Sequence, residues 1–166
     1  MTQNTKGPLS GILVIDLSRI LAGPYCTLLM AEMGARVIKV GAPVAAGGVQ
    51  IEPPFFAYGG HRGMERVRLD LKSEDGKVAF LRLAADADVV MESFRPGVVD
   101  RLGVGYEAVK AVNPGVVYCA TSGYGQSGPK SQWAGHDVNY LAAGGYFACA
   151  GRVASPAQEG RSGRWD

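Results

Sequence analysis

Three short stretches of this chain hold residue types whose spacing could do chemistry. Residues 18–24 (SRILAGP) follow an apolar run and lead into an apolar segment opening at Pro24. If a helix starts there, its free N–H groups can hold an anion or an enolate-like oxygen. The plainer reading is that Ala22-Gly23-Pro24 only makes a tight turn. Residues 92–97 (ESFRPG) follow a second apolar run. Arg95 could pair with a phosphate and Phe94 offers a flat face; equally, Arg95 could cap a helix end or pair with Glu92. In the third stretch, Gly135-His136-Asp137, a loop becomes a helix. His136 can exchange a proton near neutral pH, and Asp137 can cap the helix and steady the imidazole indirectly. The alternative is an ordinary residue at a helix start. His61, in a glycine-rich stretch, reads as incidental.

Several chemistries are argued against. There is no GxGxxG and no Walker A sequence, which counts against a dinucleotide or nucleoside triphosphate site. The three cysteines, Cys26, Cys119 and Cys149, lie far apart without CxxC or histidine spacing. They therefore offer no zinc site, no metal is expected, and their apolar neighbours read as a reduced protein core. A net charge of +2 is too small to argue for nucleic acid and is compatible with an anionic small ligand. The polar start (MTQNTKGPLSG) lacks the features of a signal peptide, and no apolar stretch approaches the ~20 residues of a membrane span. The expected location is cytoplasmic, with no membrane and no nucleic acid among the partners.

The elements that must position these stretches follow from apolar patterning. With 166 residues, 47% of them hydrophobic and 19% charged, the chain is expected to fold and to bury a core. Residues 12–17 (ILVIDL) and 36–40 (RVIKV) read as buried strands. Between them a helix is expected to open at Pro24, to be buried on most sides over 25–33, and to end at Gly34. That makes a β-α-β unit with parallel strands and a right-handed crossover. Residues 41–60 read as loop and 67–71 (VRLDL) as a half-buried strand. Ser73 is an N-cap for a helix reaching Ala85, with Val78, Leu81, Leu83 and Ala84 as core candidates. A strand at 88–91, a helical turn over 96–103, a helix over 106–112 and a strand at 116–120 follow. A loop over 123–135 leads to one last helix over 137–149. The order implies an α/β fold: a Rossmann-like open, mostly parallel sheet with helices on both faces. Residues 1–152 are expected to form one domain and 153–166 a polar tail or truncated segment.

Five blocks in sequence order carry a resemblance. They are LSRILAGPYCTLLMAEMGARVIKV, LDLKSEDGK, ADVVMESFRPGVVDRLGVGYEAV, NPGVVYCATSGYGQSGP and AGHDVNYLAAGG. Together they resemble the class III CoA-transferases and their α-methylacyl-CoA racemase relatives (the CaiB/BaiF family) over residues 9–152, apart from 41–66. The resemblance implies a Rossmann-like large domain that binds coenzyme A as co-substrate, with no tightly bound cofactor. It also implies a smaller domain and an interlocked homodimer in the full-length form. Acyl-CoA and a small carboxylic acid are the implied partners. Ile20, Leu21, Ala22, Ser93, Phe94, Arg95 and Arg101 are the implied CoA-site residues.

The branch of the family stays open. LAGPYCTLL is similar to the transferases, which move CoA between carboxylic acids through an aspartyl intermediate. AGHDVNYLA is similar to the racemases, whose histidine at this motif is a proton-transfer base; here that is His136. In both branches an aspartate about 30 residues later takes part. Asp166 lies 30 residues past His136, but it follows Arg-Ser-Gly-Arg-Trp where relatives have an apolar lead and a glycine-rich helix start. An inactive CoA-binding fragment is the third reading. Gly41 and Ala42 replace the acidic residue usual after the second strand, and Met64 replaces a basic residue, leaving Arg62 or Arg66 to substitute. Because family members are longer, the small domain and C-terminal part are expected to be absent, and this polypeptide alone is expected to be poorly soluble or inactive.

Overall fold

The structure, a computed structural model, describes residues 7–43 and 60–150. The chain divides into two compact units, Met1–Gln132 and Trp133–Asp166. The first holds β1 (Leu13–Asp16), α1 (Ala22–Glu32), β2 (Arg36–Gly41), β3 (Glu65–Arg68), α2 (Glu74–Ala85), β4 (Val89–Glu92), α3 (Val98–Arg101), α4 (Tyr106–Val112) and β5 (Val117–Ala120). The second holds α5 (Asp137–Ala143) and α6 (Tyr146–Ala150).

The five strands form one parallel sheet in the order β3-β2-β1-β4-β5. Parallel strands need covered faces, and the apolar runs of β1, β2 and β4 supply residues for both. Ile15, Ile38 and Val90 join one core with Phe80 and Ala84 of α2 and Val109 of α4. Val14 and Val37 join the other, against Met30 and Ala31 of α1. The helices thus lie on both faces, as the alternating pattern implied. Chain order reverses direction across the sheet between β1 and β4. Such a switch point leaves a crevice outside the carboxyl ends of the two strands.

Local signals explain where elements begin and end. Ser73 caps α2, its Oγ accepting from the Gly76 N–H at 3.1 Å, with Glu74 and Asp75 in the first turn. Asn113 ends α4 and donates through Nδ2 to the carbonyls of Ala84 and Ala87, tying α4 to the end of α2.

Some expectations are corrected. Pro24 is the third residue of α1, not the first; a first-turn N–H has no intrahelical acceptor, so proline is tolerated throughout that turn. The same helix is not buried on most sides: only Gly23, Pro24 and Thr27 are buried, while Tyr25 is 57% exposed. In α2 the buried pair is Phe80 and Ala84, four residues apart, and Val78 is 43% exposed. Strand β3 begins at Glu65 and ends at Arg68, two residues ahead of the start expected. The last helix is two, because Gly145 takes a left-handed conformation (φ 82°) that ends α5 and lets α6 restart.

The core assignment of the cysteines also fails for Cys26 and Cys119, which are both exposed. Cys26 lies on the uncovered side of α1, and Cys119 on the edge strand β5. Under native conditions both are expected to react with iodoacetamide within minutes, the outcome being read peptide by peptide by mass spectrometry. Protection of either until denaturant is added would contradict the fold.

Candidate functional site

Asp16 closes β1 and Lys39 is its direct register partner on β2. Both are buried on the sheet face that α1 covers. Asp16 Oδ2 accepts from Lys39 Nζ at 2.9 Å and from Thr27 Oγ1 of α1 at 2.7 Å. Its Oδ1 accepts from the Ser18 N–H at 2.7 Å and from the Ser18 hydroxyl. Lys39 Nζ also donates to the Ser18 carbonyl. A buried carboxylate is tolerated only with this kind of full pairing. The arrangement anchors the start of the loop that follows β1. A Cβ at Gly23 would stand 2.2 Å from Ser18 Oγ, so α1 can start against Ser18 only with glycine there.

Beyond Ser18 the loop rises out of the core. Ile20 has φ 71° and is 72% exposed, and Leu21 is exposed beside it. A β-branched residue in the left-handed region carries strain of about 1–3 kcal/mol, which persists only where surrounding contacts impose it. One such contact comes from the neighbouring loop: the Arg19 N–H donates to Ser93 Oγ at 2.8 Å. The loop that carries Ile20, Leu21 and Ala22 is thus tied at Arg19 to the turn that carries Ser93, Phe94 and Arg95.

After β4, Glu92 repeats the device seen at Asp16. Its Oε2 accepts from the Phe94 N–H, two residues on, at 2.6 Å. Glu92 thus holds the backbone of the turn, and Arg95 is exposed. Arg101, at the end of α3, reaches back so that its Nη1 lies 3.7 Å from where a Gly97 Cβ would stand. Arg95, within the turn, and Arg101, which reaches back to it, are both exposed.

Beside this turn opens a cleft of about 480 Å³, lined among others by Glu92, Asp100, Tyr106, Tyr118 and Gln126. The Glu92 carboxyl is held above the ordinary glutamate range, chiefly by burial; the Phe94 N–H opposes this and the Asp100 carboxylate adds to it. Burial, with Glu92 and Asp100 nearby, likewise pushes the Tyr118 hydroxyl upward, so it stays a donor at neutral pH. A carboxyl raised on folding makes stability fall as pH climbs from the ordinary glutamate range through the folded value, because the unfolded chain loses its proton first. Glu92→Gln keeps an acceptor for Phe94 but does not titrate. It is expected to remove up to one proton from that slope, about 1.4 kcal/mol per pH unit. Urea melts of both proteins between about pH 4 and pH 8 measure this; parallel profiles would contradict it.

His136 and Asp137 stand in the second unit. His136 is the N-cap of α5: its N–H donates to Asn139 Oδ1 at 2.9 Å, and its carbonyl accepts from Asn139 and Tyr140. Its imidazole is exposed, as is Asp137 in the first helical turn, where a carboxylate favours the helix. No hydrogen bond joins the two side chains. Tyr140 Oη donates to the Gly135 carbonyl at 2.8 Å and fixes the approach to the helix. Asp166 lies outside the described residues. His61, read as incidental, is buried against Arg66, and Arg62 pairs with Glu32.

The sequence reading missed Asp16, Lys39 and Thr27. A signal was present: a lysine inside RVIKV and an aspartate ending ILVID are each out of place in a buried strand unless they meet.

A switch-point cleft of this kind occurs in many α/β proteins. A sequence profile described as CoA-transferase family III matches residues 9–163. The chain belongs to CoA-transferase family III. Acetyl-CoA:oxalate CoA-transferase of Acetobacter aceti is 38% identical over 162 residues, covering 91% of this chain and 41% of that protein. Human alpha-methylacyl-CoA racemase is 40% identical over 144 residues, covering 87% of this chain and 36% of that protein. Among solved structures, a CaiB/BaiF family protein from Brucella suis superposes with a TM-score of 0.77 at 36% identity, covering 84% of this chain and 39% of that one. A protein from Mycobacterium tuberculosis superposes with a TM-score of 0.79 at 38% identity, covering 95% and 44%. The family III chain described here spans about two fifths of the length of these relatives. No helix among its described residues is long and apolar enough to cross a membrane.

Proposed function

We propose that this family III chain is the coenzyme A-binding part of a cytoplasmic acyl-CoA enzyme that transfers CoA between carboxylic acids. The observation that carries the reading is the latched pair of loops at the switch point, where Arg19 N–H meets Ser93 Oγ and two exposed arginines flank the second turn. Ile20, Leu21, Ala22, Ser93 and Phe94 line the path of the ligand, and Arg95 and Arg101 neutralise its phosphates. CoA enters as co-substrate, with no tightly bound cofactor, and two full-length copies interlock.

For the transfer itself, Asp166 is the proposed nucleophile. Its carboxylate attacks the thioester carbonyl and expels the CoA thiolate, leaving a mixed anhydride. The thiolate then attacks the aspartyl carbonyl and releases the first acid, leaving an enzyme thioester. The second carboxylate attacks that thioester to form a new anhydride, and the thiolate returns to its acyl carbon. Each acyl transfer is easier than a direct exchange.

The 40% identity to a racemase favours a second reading. There His136 removes the α-proton, which the thioester acidifies; an enolate forms, and an acid on the other face returns a proton. Asp137 caps the helix that carries His136.

Calorimetry with coenzyme A is expected to show one site per chain, with Arg95→Ala and Arg101→Ala each weakening binding about tenfold. No binding by the wild-type chain would refute the proposal. With acyl-CoA supplied, mass exchange between two acids identifies transfer, whereas solvent deuterium entering the α-carbon of one acyl group identifies racemisation. Binding with neither outcome identifies a CoA-binding fragment.

A further inference from the structure

We propose that Lys39 is a positioning residue: from beneath the switch point, its ammonium group holds the 17–22 loop in the strained conformation that receives coenzyme A. The inference rests on the coenzyme A reading for its ligand, and on the geometry alone for the loop.

Lys39 is far from an ordinary surface cation. It lies inside an apolar strand and is buried, with Asp16 Oδ2 at 2.9 Å and the Ser18 carbonyl as a second acceptor. Asp16 alone would hold only the N–H and hydroxyl of Ser18. Lys39 adds a grip on the Ser18 carbonyl, which leads directly into the Arg19 peptide. That peptide's N–H is the one latched by Ser93, and Ile20 with its φ of 71° is the next residue. The strained residue is thus reached from two sides, by an ammonium group from β2 and a hydroxyl from the loop after β4. Neither Lys39 nor Ser93 needs to touch the ligand for this. Their effect is to raise the share of molecules whose loop is already arranged, and an affinity falls in proportion to that share.

The test compares Lys39→Met and Ser93→Ala with the wild-type chain, with Arg36→Ala as control. Arg36 begins the same strand but forms an exposed pair with Glu65, away from the carboxyl ends. Two readouts are taken. Amide hydrogen exchange in the absence of ligand is expected to quicken in peptides covering residues 17–22 of both variants, about tenfold more than any change in β1 and β4. Coenzyme A affinity is expected to drop about tenfold in Lys39→Met, and Arg36→Ala is expected to change neither readout. A merely structural lysine would quicken exchange across the whole sheet and leave affinity at temperatures below unfolding untouched. Unchanged loop exchange in Lys39→Met would overturn the proposal. If Lys39→Met does not fold, the double variant Asp16→Leu with Lys39→Met, which strands no charge, takes its place under the same criterion, and Ser93→Ala is read by exchange alone because Ser93 also lines the proposed ligand path. Failure of the wild-type chain to bind coenzyme A would sink the ligand reading, and the exchange result would still decide the loop.

Discussion

Phe80→Ala is expected to destabilise the chain by about 3–5 kcal/mol, while Val78→Ala, two residues earlier on the same helix, is expected to cost under about 0.5 kcal/mol. Phe80 is fully buried and is the largest side chain in the core between α2 and the sheet, where Ile15, Ile38 and Val90 also lie. Removing its ring opens a cavity that three strands and a helix cannot close without moving. Val78 faces outward, so its truncation exposes little new surface. Because a domain this size is stable by only about 5–15 kcal/mol, the first substitution consumes a large share of the margin. Paired urea melts measure both effects; equal midpoint shifts would mean that α2 is rotated from the position described.

Asp16→Ala is expected to cost a similar amount, about 3–5 kcal/mol, by a different route. The substitution removes little volume. It takes the carboxylate from the Lys39 ammonium, the Thr27 hydroxyl and the Ser18 N–H at one stroke, all of them out of reach of bulk water. The loss is dominated by an ammonium group stranded in the core, not by a missing attraction. Asp16→Leu combined with Lys39→Met should therefore recover much of the stability, although each alone is damaging. Thermal unfolding of the two single variants and the double variant forms the cycle. A double variant no more stable than Asp16→Leu would show that the cluster stabilises through something other than charge pairing.

These two substitutions also mark how far the residues could be read before the fold was known. Strands β1, β2 and β4 were legible because a short run of valines and isoleucines bounded by turn signals has few other uses. Helix α4 was legible to the residue, since Gly105 precedes it and Asn113-Pro114 stops it. The burial of α1 and the inward face of α2 were not. Both helices carry apolar residues on several sides, and which side turns inward depends on what the sheet offers. The three stretches with chemical content were found from their positions after apolar runs, and for two of them that also gave their meeting place at the carboxyl ends of β1 and β4. The cluster beneath them was invisible, because the contact between Asp16 and Lys39 depends on strand register, which no local pattern states. The cleft by Tyr118 was missed for the same reason: its lining comes from β4, β5, α3 and α4 together.

The place of β1 in the centre of the sheet also sets a timetable. Its partner β2 follows within about two dozen residues, but Val14 pairs with Val89, and Arg19 waits for Ser93. On a ribosome, the first crossover can therefore close long before its second neighbour has been synthesised. A nascent chain halted before residue 89 would own the strained loop without its latch, and the uncovered flank of β1 would be open to pairing with the wrong strand. The binding crevice is a late product of folding, created only when two distant parts of the message have both been translated.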